Sequence, residues 1–457
     1  MKDWRRYVFP ANRWLEPLFA IVIIGYIVQL ALFFRTYHYL PQPFFYDPGD
    51  TWMDWFNTAY WAWNEGAYDS WATVYPPLTF IFLKLVSIPS CYPEAASGFE
   101  AVRTCDWLGI AAMHAIFLLN IVLIMISFWK IDRKTAVPRT IALAIGLPML
   151  FGLERGNPFL ICFTCVVLAF GPIFKSARWR WLAAGLAINF KVYLLAMLLP
   201  LAIRRKWRWL EGAVMMTVLV YLVTYLIMGS GTPREIWANL SGGAEYDLAN
   251  PLDLWFATTY KPLLGLLNSS NFPIVLMIGS RFVDIGLFLV PLVIKIAQAT
   301  LLIAVAAAWL RPEVVPTTRL LAIMVALAMI TNETSGYSPT IVLFFVFMEK
   351  WDGLGRKFAL VASYIYCIPG DIILDRVGQD IKFSFLSGRE VIVEYMLNLG
   401  PFVRPLILIS IAMALSCTIV HAVWVDIQRQ GWKTRWRFRH DAPIMVGDGE
   451  ARPPLLR

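Results

Sequence analysis

The chain has 457 residues, 59% of them hydrophobic and only 16% charged, with a mean hydropathy of +0.60 and a net charge of +9. Soluble domains carry about 25% charged residues, so this composition excludes a soluble globular protein and points to a polytopic membrane protein. The basic excess does not call for a nucleic-acid partner, because the Lys and Arg residues fall where membrane topology places them.

In chain order, the first apolar run, Leu18 to Phe34, is too long for a signal-peptide core and lacks a small-residue cleavage site. It reads as a membrane span. Further spans are expected at Trp107–Trp129, Trp209–Met228, Phe282–Leu310, Phe358–Leu374 and Val403–Val425. Shorter runs lie at Thr140–Leu153, Phe159–Phe174, Leu320–Ile330 and Thr340–Met348. A crossing needs about 20 apolar residues, so these runs extend through polar ends, tilt, or stop inside the bilayer. Leu78–Ile88 is shorter still and carries Lys84; it reads as an interfacial or re-entrant helix.

Trp181 to Ile203 has crossing length, but Lys191 lies near its middle and basic clusters flank both ends. A lysine at the bilayer centre costs about 2.5–3.5 kcal/mol on insertion scales. Two short helices meeting at Asn189-Phe190-Lys191 keep both clusters on one side. They also imply a cavity, because broken helices persist only when buried in protein or lining one. A single tilted span with Lys191 paired to an acid is the alternative. With the broken pair, the chain reads as an all-α fold of about twelve transmembrane helices. It forms one integral domain over 1–457, ending in a basic tail at 428–457. With the N-terminus inside, about two-thirds of the Lys and Arg residues fall on the inner side, which places both termini in the cytoplasm. The long outer segments are then Thr36–Asp106, Gly229–Arg281 and Asp375–Arg404.

The first outer segment holds Asp50 and Asp54, four residues apart and on one face if that stretch is helical. Around them stand Trp52, Trp55, Phe56, Tyr60, Trp61 and Trp63, and Tyr75-Pro76-Pro77 closes the stretch. Such aromatic segments lie in the membrane interface. The plainer reading is an interfacial helix whose acids face water. Three more polar groups fall on the same side. Glu154-Arg155-Gly156-Asn157 and Asn332-Glu333-Thr334-Ser335-Gly336-Tyr337 each join two short runs, and Lys191 sits at its own junction. Ionisable residues at membrane depth are functional candidates because each is costly to place there. For any one of them an ion pair, such as Glu154 with Lys191, is the structural alternative.

These residues carry a resemblance. Asp50/Asp54, Gly66, Tyr68-Asp69, Tyr75-Pro76-Pro77-Leu78, Glu154-Arg155-Gly156-Asn157-Pro158, and Lys191-Val192-Tyr193 with Pro200 follow an order that resembles the GT-C superfamily of integral-membrane glycosyltransferases. The nearest branch is the bacterial polyprenyl-phosphate-mannose-dependent mannosyltransferase-like proteins. The resemblance covers roughly residues 45 to 205; the C-terminal half departs from it, most clearly at Glu333-Thr334-Ser335-Gly336-Tyr337. It implies inverting transfer of a hexose, mannose in that branch, from a polyprenyl-phosphate donor to a glycan or glycolipid acceptor. The reaction would take place on the outer face of a bacterial inner membrane, in the building of envelope polysaccharide, without a cofactor or metal. Asp50 or Asp54 would be the base. Arg155 and Lys191 would hold the donor phosphate, with Glu154, Asn157 and Tyr193 beside them. Glu333, Tyr337, Tyr75 and Asn332 would meet acceptor or sugar. A transporter or flippase for lipid-linked sugars, or a polysaccharide polymerase, would use similar elements. Among the cysteines, Cys91 and Cys105 alone lie in an outer loop, where an oxidising compartment allows them to pair.

Overall fold

The computed structural model describes residues 14–93, 103, 105–242, 259–268, 279–331 and 334–431. The protein is a membrane-embedded, mostly helical chain. Among the described residues six helical stretches are long and apolar enough to cross a membrane: Leu15–Tyr37, Trp107–Ile131, Ala136–Glu154, Trp207–Met228, Ser280–Leu310 and Gly400–Gln430. Their flanks differ in burial. Only 11% of the Leu15–Tyr37 and Trp207–Met228 windows is buried, against 72% of Ala136–Glu154. Long helices thus present apolar side chains outward, and short or interrupted ones form the interior.

The interruptions have local causes. Ala136–Glu154 is two helices, Ala136–Ala144 and Leu147–Glu154. At the break, a Cβ on Gly146 would collide with the Ala142 carbonyl, and the orphan N–H of Leu147 donates to the Cys367 carbonyl at 2.9 Å. The segment containing Lys191 is also broken. Helix Ala177–Phe190 ends there, Lys191 is extended, and a 3-10 turn at Val192–Leu198 leads into Leu199–Ile203. Just before this break Asn189 ties the helix to its neighbour, donating to the Gly185 and Thr217 carbonyls. Gly185 lets the backbone of Trp207–Met228 approach closely, as small residues do between membrane helices. The half-length helices Phe159–Phe170, Thr317–Thr331 and Pro339–Val346 are almost wholly buried. Burial satisfies the rule that irregular backbone at membrane depth must be enclosed by protein.

Two details depart from the expected elements. The run Phe358–Leu374 is not one continuous helix: helix Leu354–Tyr366 has 13 residues and stops before Pro369-Gly370, and Pro disfavours helix in the residue before it. The mostly helical chain also carries one small sheet among the described residues. Ile373–Ser384 (β1) and Arg389–Asn398 (β2) form an antiparallel hairpin, with Ile381 opposite Ile392. Its tip contacts the Pro48–Asp50 turn through a hydrogen bond from the Phe385 N–H to the Pro48 carbonyl, 3.2 Å.

At the opposite end, buried ions pin the first helix to the interior. Glu16 receives Arg139 Nε and Nη2 at 2.8 and 3.0 Å, and the Tyr364 hydroxyl at 2.8 Å. Arg139 Nη1 donates to the Phe347 and Glu349 carbonyls, and the Glu349 carboxylate pairs with Arg319. Removing one partner of a buried pair strands the other charge, at about 3–5 kcal/mol. Arg139→Leu is therefore expected to lower the melting temperature in detergent sharply. The Glu16→Gln/Arg139→Met double variant should recover part of that loss; an unchanged Tm in the single variant would contradict the pairing.

Candidate active site

Glu154 ends one buried half-helix, and Asn157 precedes the next, Phe159–Phe170. The Glu-Arg-Gly-Asn motif is therefore the turn between them. Gly156 takes a φ of +61°, and a Cβ there would enter the Trp52 ring. Trp52 itself has a left-handed φ of +68°, and its N–H donates to the Glu154 carbonyl at 2.9 Å. A bulky residue in this region is an outlier that its surroundings must hold. Here Trp52 docks the first outer segment, backbone to backbone, onto the motif turn.

Trp52 also changes how the two acids are presented. Asp50 ends the 3-10 turn Pro48–Asp50, whereas Asp54 lies in the first turn of the helix Met53–Trp63. They do not share a helix face, as their spacing predicts; the reversal at Trp52 brings them to opposite edges of one guanidinium. Arg155 Nη1 reaches Asp50 Oδ2 at 2.9 Å, and Nη2 and Nε reach Asp54 Oδ1 at 2.9 and 3.2 Å. Phe45 covers the guanidinium face at 4.3 Å. Asp54 Oδ2 receives the Asn157 amide at 2.7 Å, so both of its oxygens are held. Asp50 Oδ1 accepts no hydrogen bond among the described residues. Burial raises the Asp50 pKa above the usual carboxylate value, and the Arg155 charge opposes that rise.

The remaining polar groups extend from Asn157. Its Oδ1 accepts the Phe159 N–H, which aims its amide nitrogen at Asp54, the Tyr337 hydroxyl at 2.8 Å and the Tyr75 hydroxyl at 3.2 Å. Lys191 Nζ lies 4.4 Å from the Tyr75 ring centre and 5.4 Å from that of Tyr337, and donates to the Tyr75 hydroxyl at 3.4 Å. Among the described residues it has no carboxylate partner, so the Glu154–Lys191 pair is not formed. Glu154 is buried, with Oε2 lacking a hydrogen-bond partner. Tyr193 donates to the Ser338 hydroxyl at 3.2 Å. Burial raises the Tyr337 pKa, keeping that phenol neutral. Asn332 and Glu333 lie outside the described residues.

Arg155 was expected to clamp phosphate, but its guanidinium is committed to the two aspartates. Lys191 has no carboxylate partner among the described residues. Sequence reasoning also passed over two supports of the acid segment, which stand beside the expected Cys91–Cys105 disulfide. Asp106, fully buried, accepts from Trp55 Nε1, the Tyr92 hydroxyl and the Gly109 and Ile88 N–H groups. Arg103 donates to the Gly49 carbonyl and lies between the Phe56 and Phe385 rings. Cys91 and Cys105 are joined in a disulfide with Cα atoms 5.6 Å apart, next to Asp106. The signal available was an acid just before an apolar run, the N-cap pattern. No family model, curated protein or solved structure matches this chain.

Gly156→Ala is expected to destabilise the protein by about 2 kcal/mol or more, from left-handed strain and overlap with Trp52. Thermal unfolding in detergent measures it, and a wild-type transition would show that the turn tolerates a side chain.

Proposed function

We propose that this protein is an inverting glycosyltransferase of the GT-C type, moving a hexose from a polyprenyl-phosphate donor to a hydroxyl of a glycan or glycolipid acceptor. Mannose is the sugar that the motif resemblance favours. One observation carries the proposal: a carboxylate with a free oxygen is joined through Arg155, Asp54 and Asn157 to two tyrosine hydroxyls, against which lies a lysine with no acid partner among the described residues. That is the arrangement needed to take a proton at one point and receive an anionic leaving group at another.

In this mechanism Asp50 Oδ1 accepts the acceptor's hydroxyl proton as the oxygen attacks the anomeric carbon. The bond from that carbon to the phosphate oxygen breaks, and the electron pair leaves with the lipid phosphate. Lys191 meets the developing charge as a preorganised cation. Arg155 and Asp54 act as positioning residues, because Arg155 holds Asp50 in place and Asp54 anchors Arg155 and Asn157. Tyr75 and Tyr337 offer hydroxyls to the sugar; Glu154 and Tyr193 support the walls. Asn332 and Glu333 complete the acceptor side in this reading. Twelve crossings, a single domain, cytoplasmic termini and a periplasmic site in a bacterial inner membrane belong to the same proposal. The crossings rest on the apolar runs, the orientation on the positive-inside bias, and the bacterial membrane on the motif resemblance.

The decisive assay is sugar transfer by the purified protein from a synthetic polyprenyl-phosphate hexose. Binding of the donor with no sugar released would favour a flippase, and a requirement for a diphosphate donor would favour a polymerase. Asp50→Asn should abolish turnover while donor binding persists. A base works as its carboxylate, and burial raises this pKa. Wild-type activity should therefore fall as pH drops, with a midpoint above the ordinary aspartate value. A flat acid limb would remove Asp50 from the role.

Lys191→Ala should weaken binding of the polyprenyl-phosphate product by about 1.5–3 kcal/mol, the range for hydrogen bonds to charged groups. Arg155→Ala should depress turnover while changing product affinity less. Equal losses of affinity in both variants would return Arg155 to the phosphate.

A further inference from the structure

The β1–β2 hairpin takes no part in the chemistry above, yet it leaves large apolar side chains uncovered. Val377, Ile381, Phe383 and Ile392 are 63, 65, 52 and 60% exposed. Ile381 and Ile392 are cross-strand partners, so they form one continuous face with Phe383. The other face of β2 is occupied: Val391 and Val393 pack on Tyr39 and Phe33, at the end of the membrane-length helix Leu15–Tyr37.

Both ends of the hairpin are tied to membrane-length helices. At its base the Leu399 N–H donates to the Ile372 carbonyl, and Gly400–Gln430 begins at the next residue. Asp371 fixes that junction, accepting the Gly400 N–H at 2.7 Å and pairing with Arg404 at 3.0 Å. Near the tip, the Ser384 hydroxyl donates to the His38 carbonyl, one residue beyond Leu15–Tyr37. The uncovered face therefore continues the apolar outer surface of two spans at the point where they end. Tyr37, 52% exposed, marks the same level, as aromatic side chains do at the headgroup layer.

Three occupants can be weighed. Water is a poor one for Ile381, Phe383 and Ile392 side by side, with Glu390 and Glu394 flanking Ile392 along β2 as the polar rim of that face. A strand added to the free edge of β1 is opposed by Asp375, Arg376, Asp380 and Lys382, and by two register shifts between Ile373 and Gly378. Charges and bulges are how natural edges resist pairing. The bilayer remains, and only its boundary layer, because an open two-stranded edge has no partners in hydrocarbon.

We infer that the hairpin is an interfacial membrane contact, its Ile381–Phe383–Ile392 face set into lipid on the side of the bilayer that holds the paired aspartates. The inference does not depend on the proposed activity. It has a consequence for the site, because Phe385 and Lys382 grip the turn before Asp50: Phe385 through the Pro48 carbonyl, and Lys382 through Asp47 at 3.7 Å. Lipid contact would thereby seat that turn.

The test uses the full chain in lipid nanodiscs, with a nitroxide on Ile381→Cys or Ile392→Cys in a Cys417→Ser background. The other free cysteines, Cys162, Cys165 and Cys367, are buried. Asp352→Cys serves as a water-facing reference, its native side chain being 79% exposed. Spin-label relaxation by oxygen and by a water-soluble nickel chelate reads the surroundings. At 381 and 392 oxygen should dominate; at 352 the nickel chelate should dominate. Nickel dominance at both hairpin positions would place the face in water. Low access to both reagents would mean that protein covers it. Either result overturns the inference. Monodisperse elution of each labelled variant establishes that the fold is retained.

Discussion

The structure is governed by one constraint: a helix that breaks inside a membrane protein must find partners for the backbone groups it frees. Gly146, Lys191 and the Glu-Arg-Gly-Asn turn are such breaks. At Gly146 and at the Glu-Arg-Gly-Asn turn the partner comes from another part of the chain, the Cys367 carbonyl and the Trp52 N–H; beside Lys191, Asn189 ties the broken helix to its neighbour. The long helices enclose these points, and the short ones are buried for the same reason. Interior space lined with polar groups follows from the breaks themselves. A continuous helix would have used those groups on itself.

Charge is arranged in two layers about one membrane thickness apart, since the 23 residues of Leu15–Tyr37 span about 35 Å. At one end Glu16, Arg139, Arg319 and Glu349 are buried and their ion pairs are fully hydrogen-bonded. That layer fixes how the first helix sits and leaves nothing for a ligand. At the other end the pairing is incomplete. Arg155 is divided between two carboxylates, one oxygen of Asp50 is left over, and Lys191 rests on aromatic rings rather than on an acid. The same residue types serve as a structural clamp in one layer and as a candidate reaction site in the other. The difference lies in which hydrogen bonds remain unmade.

The acid segment is held from outside as well as from below. Asp106 collects four donors, from two helices and the loop between them, Arg103 holds the Gly49 carbonyl, and the hairpin tip holds Pro48. The proposed role of Asp50 as a base calls for supports of this kind, because a small displacement relative to a substrate lowers the rate steeply.

Much of the membrane architecture could be read from the sequence, because hydropathy over about 20 residues is a local property. The long helices fall within a few residues of their apolar runs. The interruption at Lys191 was legible too, from a charge that a continuous span would strand. The acids, the Glu-Arg-Gly-Asn turn and Lys191 stood out as ionisable groups in apolar surroundings. What no local property contains is the choice of partner. Arg155 meets Asp50 and Asp54 across 105 and 101 residues, so its role, and the distinction between the two aspartates, exist only once the chain is folded. The left-handed Trp52 that separates the acids has no compositional signature. The hairpin was missed although Val391-Ile392-Val393-Glu394-Tyr395 has strand chemistry, because apolar runs of crossing length were the pattern sought. Pairing of two strands, like the filling of a guanidinium's edges, is decided by geometry between distant segments.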